Sequence, residues 1–99
     1  MNNRIYLAGK ITGDPNYKQK FEEGVARLKD FGFKAEEIVN PVELCQDGWS
    51  WLRCMIHDLC KMAGCGWVAF LPDWKDSKGA CIEYFFAQLL GKITIYLNC

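Results

Sequence analysis

Trp67-Val68-Ala69-Phe70-Leu71-Pro72-Asp73-Trp74-Lys75-Asp76-Ser77-Lys78-Gly79-Ala80-Cys81-Ile82-Glu83 is the stretch that decides the fold. Its first five residues are apolar without alternation, the pattern of a strand buried on both faces. Pro72 stops that strand, because its ring nitrogen has no proton to donate to a ladder. A polar loop runs from Asp73 to Lys78. The spacing then predicts a helix from about Gly79 to Leu90, with Ile82, Phe85, Phe86 and Leu89 inward and Gly91 at its C-terminal end. A doubly buried strand feeding a helix belongs to a parallel sheet with helical crossovers.

The same grammar repeats upstream. Arg4-Ile5-Tyr6-Leu7-Ala8 is a second short buried-type strand, and Gly9-Lys10-Ile11-Thr12-Gly13 is the loop after it. Asp14-Pro15 predicts a helix start, with Asp as N-cap and Pro at the first helical position. Tyr17, Phe21, Val25 and Leu28 form the predicted core stripe of that helix, and Gly32 ends it. A weaker strand lies within Phe33 to Val39, interrupted by Glu36 and Glu37 and closed by Asn40-Pro41. After a loop from Leu44 to Gly48, Ser50 is the predicted N-cap of a helix whose inward stripe is Leu52, Met55, Ile56, Leu59 and Met62. Ile93 to Leu97 is the last strand.

Alternating strands and helices imply a parallel four-stranded sheet with helices on both faces, and right-handed crossovers give the order 2-1-3-4. Ligands of such sheets bind beyond the carboxyl ends of the strands, where the order reverses. Here that crevice falls between the first and third strands, where the loops 9–13 and 72–79 meet.

Composition bounds the rest. Ninety-nine residues, 51% of them hydrophobic, predict one domain over residues 1–99. Twelve basic and twelve acidic residues cancel, with no basic stripe, so a nucleic-acid polymer is not an expected partner. No apolar run reaches membrane-span length, so no membrane partner is expected. Met1-Asn2-Asn3-Arg4 enters a strand directly, without a leader pattern, and a cytoplasmic protein is expected. Six cysteines, Cys45, Cys54, Cys60, Cys65, Cys81 and Cys99, form no C-x-x-C pair and are expected to be reduced, mostly buried thiols. Cys54, His57 and Cys60 spread over too wide a helical arc to share one ion, so no metal is expected. The first loop has neither the Walker nor the dinucleotide spacing, and no cofactor is expected.

Three elements carry potential chemistry. Glu83 is a carboxylate in an apolar helix just past a Ser-x-Gly turn, a place that seldom accepts an acid unless something holds it. It reads as a nucleophile or base beside a ligand pocket, or more plainly as an acid that satisfies backbone donors. Gly9 to Gly13 allows close backbone approach to a ligand and adds the Lys10 cation and Thr12 hydroxyl, or is a plain turn. Asp58 lies on the second helix beside Ile56, His57 and Leu59, either near the crevice or exposed. Tyr6, Trp49, Trp51, Trp74 and Tyr84 gather around the proposed crevice, where rings can stack a base or simply fill the core.

Tyr6-Leu7-Ala8-Gly9-Lys10-Ile11-Thr12-Gly13, Asn40-Pro41, His57-Asp58-Leu59, Leu71-Pro72-x-Trp74 and Ser77-x-Gly79-x-x-x-Glu83 together resemble the nucleoside 2-deoxyribosyltransferase-like superfamily. The nearest likeness is to its small, largely phage and bacterial branch, usually described as a domain of unknown function. The resemblance spans nearly the whole chain. It implies a flavodoxin-like three-layer fold and chemistry at the N-glycosidic bond of a nucleoside or nucleotide. It implies that Glu83 attacks the anomeric carbon of 2-deoxyribose and that a glycosyl-enzyme ester then passes the sugar to another base (transferase) or to water (hydrolase). Asp58 is implied to orient the sugar or handle protons, and Ser77 and Gly79 to hold a 5′-phosphate. Tyr6, Gly9, Lys10, Ile11 and Trp74 complete the expected substrate-binding set. A homodimer or higher homo-oligomer is implied, because the longer relatives complete their sites with a neighbouring subunit. Gly66 departs from the pattern, standing where relatives often carry Asp. A second function hypothesis keeps the pocket without turnover, as a module that binds or sequesters a nucleotide.

Overall fold

The computed structural model describes residues 3–97. Its strands are β1 (Ile5–Ala8), β2 (Ile38–Val39), β3 (Trp67–Phe70) and β4 (Ile93–Tyr96), and its helices are α1 (Tyr17–Asp30), α2 (Trp51–Ala63) and α3 (Lys78–Leu89). All strand pairs are parallel and the sheet order is β2-β1-β3-β4, as the crossover rule predicts. Ile5 lies opposite Ile38 on one side and Trp67 on the other, so β1 is a central strand.

The two-residue side-chain period of β1 divides the core into two layers. Ile5 and Leu7 pack with Phe21 and Leu28 of α1. Tyr6 and Ala8 point the other way, to a cluster containing Met62 of α2 and Ala87 of α3. Helix α1 therefore covers one face, and α2 and α3 cover the other. Every residue of β1 is fully buried, as a parallel strand between two helical layers requires.

Local chemistry corrects several expectations. Helix α1 starts at Tyr17 with Asn16 as its cap, two residues later than the Asp14-Pro15 signal predicts. The Asp14 carboxylate is engaged elsewhere: Oδ1 accepts from the Asn16 amide at 2.9 Å and Oδ2 pairs with Lys20. Pro15 thus sits in a turn ahead of the helix. The other end of α1 follows the glycine rule. Gly32 has φ +107°, and the amides of Gly32 and Phe33 close onto the carbonyls of Lys29 and Leu28. The second strand shrinks to two residues, because Ala35–Glu37 form a 3-10 turn instead.

The largest correction concerns α3. Its buried residues are Ala80, Glu83 and Ala87, whereas Phe85 is 62% and Leu89 67% exposed and Phe86 is also outward. Small side chains at 80 and 87 let the helix lie close to the sheet, and the face that carries them also carries Glu83. Helix α2 behaves similarly: Met55 and Met62 are buried, Leu59 is half-buried, and Leu52 and Ile56 are exposed. Where a helix is apolar around most of its circumference, periodicity does not say which stripe faces inward.

The thiols also differ from expectation. Cys45 and Cys54 form a disulfide across a Cα separation of 5.2 Å. The loop before α2 folds back through Gly48, at φ +88°, which brings Cys45 against the helix. Cys60 and Cys81 are free and exposed, and among the described residues only Cys65 is a buried thiol. Cys99 lies outside the described residues.

Candidate active site

The site is assembled where β1 and β3 diverge. Asp73, in the loop after β3, accepts from the Lys10 amide at 3.2 Å and forms an ion pair with Lys20 of α1. Lys20 also pairs with Asp14 and donates to the Lys10 carbonyl at 3.4 Å. One lysine on the far helical layer thus clamps both loops that flank the topological switch point. Gly9 adds a steric constraint: a Cβ there would fall 2.6 Å from Cδ1 and 3.0 Å from Cβ of Leu71. Only a residue without a side chain lets the two strand ends approach this closely.

Beyond these loops a cleft of about 440 Å³ opens on the α2/α3 face. Its floor is Tyr6 of β1 and Glu83 of α3, and the loop after β1 supplies Gly9, Ile11 and Thr12. Helix α2 contributes Trp51, Cys54, Met55 and Asp58, spaced i, i+3, i+4, i+7 along one stripe. Ser77, Lys78 and Gly79 form the rim at the start of α3, with the Ser77 hydroxyl capping the Ala80 amide at 3.1 Å. Trp49 and Cys45 close the side toward the loop before α2.

Glu83 is 5% exposed, and its Oε2 accepts a hydrogen bond from the Tyr6 phenol. Burial raises its pKa to about 8; the Tyr6 hydrogen bond opposes that rise and the nearby Asp58 charge adds to it. Burial likewise raises Asp58 to about 7, and its Oδ1 is buried with no hydrogen-bond partner among the described residues. Tyr6 is pushed well above its ordinary value by burial first and by the neighbouring carboxylates second. The cleft therefore holds two carboxyls that titrate near neutrality, one braced by a phenol and the other with an open valence. Such a pair suits the exchange of a proton between a nucleophile and a leaving group. Among the described residues, no three His, Cys, Asp or Glu side chains gather as a metal site.

The structure brings together Tyr6, Gly9, Ile11, Asp58, Ser77, Gly79 and Glu83 from the residues singled out in the sequence. It does not bring in Lys10 or Trp74. The Lys10 backbone is held in the loop clamp, and its side chain is not part of the cleft wall. Trp74 stacks on Tyr84 at 4.5 Å and packs on Phe70, so both rings belong to the core side of α3. Trp49 and Trp51 do line the cleft. Sequence reasoning missed Met55, Lys78 and the Cys45–Cys54 pair in its walls. Counting back from Asp58 by four and seven residues would have found Cys54 and Trp51 on its face.

Sheet order, switch-point cleft and paired carboxyls together define a flavodoxin-like α/β protein with a ligand-sized pocket at its topological switch point. The sequence profile of the family described as Domain of unknown function (DUF4406) matches residues 3–96, and the chain belongs to that family. No curated protein matches the chain. Among solved structures, a 2-desoxiribosyltransferase from Leishmania mexicana superposes with a TM-score of 0.66 at 17% sequence identity. The match covers 97% of this chain and 64% of that one, so the chain spans less than two thirds of the neighbour's length. At that identity the likeness shows a shared fold.

Proposed function

We propose that the protein cleaves or transfers the N-glycosidic bond of a 2-deoxynucleoside or its 5′-monophosphate, with Glu83 as the nucleophile. The observation that carries this reading is a buried carboxylate on the floor of an open cleft, braced by Tyr6 and faced by the unsatisfied Asp58. The fold shared with a deoxyribosyltransferase supports it.

In the singly protonated pair the proton rests mainly on Glu83, whose pKa is the higher, and the reactive fraction is the tautomer that carries it on Asp58. Glu83 attacks C1′ through Oε1, the oxygen not engaged by Tyr6, and a C–O bond forms as the C1′–N bond breaks. The bond pair leaves with the base, and Asp58 supplies its proton. Tyr6 stays hydrogen-bonded to Oε2, which becomes the ester carbonyl oxygen. Water, or the nitrogen of a second base, then attacks C1′, yields its proton to Asp58 and restores the Glu83 carboxylate. An oxocarbenium-like transition state gains from the anion beside it in a site shielded from water. In this reading Trp49 and Trp51, which line the cleft, stack the base, and the Ser77-Lys78-Gly79 rim meets the 5′ end of the sugar.

The working unit in this reading is a homodimer in the cytoplasm, in the manner of the small phage and bacterial branch. Leu52 and Ile56 on α2 and Phe85 and Leu89 on α3 leave an apolar surface suited to a second copy. Release of free base from each deoxynucleoside and monophosphate, followed by chromatography, tests the function. Turnover that disappears in Glu83→Gln supports it. Equal rates in the two proteins rule out the covalent route, and tight binding without base release makes the protein a binding module.

A further inference from the structure

We propose that the Cys45–Cys54 disulfide is a reversible redox site in the cleft wall, opened by a dithiol reductant, and that its state sets how tightly the cleft holds its ligand. The ligand half of this proposal rests on the nucleoside reading above; the redox half does not.

Both half-cystines line the cleft. Cys54 is four residues from Asp58 on the stripe of α2 that forms the wall, so the two side chains sit one turn apart on one face. Its partner Cys45 belongs to the loop before α2, and residues 45–48 of that loop are exposed. Trp49, at the loop's end, also lines the cleft, with its ring 4.2 Å from the Arg53 guanidinium and 5.3 Å from the His57 ring. The disulfide therefore fixes one rim of the pocket to the helix that carries Asp58.

Its placement marks it as a local latch. The bond closes a sequence separation of nine and crosses no strand of the sheet, so opening it leaves both core layers intact. A loop this short also restrains the unfolded chain less than a long one would. Cys45 is exposed and Cys54 half-buried, which makes Cys45 the sulfur open to attack. A thiolate of the reductant attacks Cys45 Sγ, and the bond pair leaves on Cys54 Sγ, which takes up a proton. The reductant's second thiol then displaces Cys45, which leaves as a thiol. The protein gains two electrons and two protons, and the dithiol becomes its own disulfide. With the bond intact the rim is already ordered before ligand arrives. With it open, binding must order residues 45–49, and affinity falls.

The test uses the full chain equilibrated in oxidised glutathione or in dithiothreitol, with alkylation and mass spectrometry to count thiols. Hydrogen exchange over residues 45–50 reads the rim, and calorimetry with the deoxynucleosides reads the cleft. Reduction is expected to expose two further thiols and to speed exchange in that segment about tenfold while the strands stay protected. The deoxynucleoside dissociation constant should rise roughly fivefold and recover on reoxidation. The double variant Cys45→Ser/Cys54→Ser should exchange and bind like the reduced protein under both conditions. Failure of the disulfide to form in oxidised glutathione, or identical exchange in the two states, overturns the redox site. Equal affinity in the two states overturns its control of the cleft. If no deoxynucleoside binds in either state, the nucleoside reading falls, and hydrogen exchange alone still decides the redox site.

Discussion

The phenol of Tyr6 donates its hydrogen bond to Glu83 Oε2 across a separation of 77 residues, joining the central strand to the third helix in the buried floor of the cleft. A phenol is a useful partner for a buried nucleophile. It stabilises the carboxylate without itself ionising, since burial and the adjacent carboxyls hold its own pKa far above neutrality. It also occupies one carboxylate oxygen and so leaves the other to meet a substrate.

Tyr6→Phe should therefore slow base release about ten- to a hundredfold at pH 7.5, the loss of one hydrogen bond to a charged group. Without the donor, the ionised form of Glu83 loses its support and its pKa climbs further. The rate profile should shift to alkaline pH. A profile of unchanged shape would confine Tyr6 to a packing role.

The rate should also depend on pH in the wild type. Asp58 titrates at about 7 and Glu83 at about 8, so the form with one proton on the pair peaks between those values. A bell centred between pH 7 and 8 is expected in kcat/KM. A profile flat from pH 6 to 9 contradicts the shared proton.

Stability should run the other way with pH. The folded-state pKa of Glu83 is raised, so between its ordinary 4.5 and about 8 the folded protein binds more protons than the unfolded chain. The stabilisation is complete below 4.5 and is lost as pH rises through about 8, a change on the order of a few kcal/mol. Tm should fall between pH 5 and pH 9. Glu83→Gln has no proton to lose and should show a flatter curve, with a Tm above wild type at pH 9. Parallel curves for the two proteins would contradict the burial argument.

Lys78 is the sole cation among the described residues that line the cleft, and it rests 5.3 Å from the Trp51 ring. If a 5′-phosphate binds at the rim, Lys78→Ala should weaken monophosphate binding about three- to tenfold and leave nucleoside binding unchanged. Lys10→Ala should affect both ligands equally little, because its side chain is outside the wall. Calorimetry with a matched nucleoside and monophosphate separates the two lysines.

Gly9→Ala should cost about 1–3 kcal/mol, because the new methyl meets both Cδ1 and Cβ of Leu71 and the second of these is fixed near the backbone. A fall in Tm of several degrees checks it. An unchanged Tm would mean the two loops part more easily than the clamp at Lys20 suggests.

The sheet was legible in the sequence because parallel strands buried on both sides are continuous apolar runs, and because crossover handedness leaves few orders for four such strands. Glu83 and its Ser-x-Gly turn stood out for a related reason, as a charge where the surroundings are apolar. Helix faces were harder to read. In α3 Phe85, Phe86 and Leu89 face outward and alanines face the sheet, an arrangement that depends on how closely the helix docks and not on hydrophobicity. Lys10 and Trp74 were drawn toward the site by position along the chain, yet a loop clamp and a ring stack decide where they go. The Cys45–Cys54 bond depends on a turn at Gly48 that cysteine spacing does not encode.

Strand β2 has only two residues, Ile38 and Val39, set between the 3-10 turns Ala35–Glu37 and Pro41–Glu43. An outer strand this short offers an incoming chain almost no row of free amides and carbonyls to zip onto, and Pro41 withholds a further donor. Fibril-like extension is thereby discouraged along that margin of the molecule, and any ladder that did grow would have to start from β4.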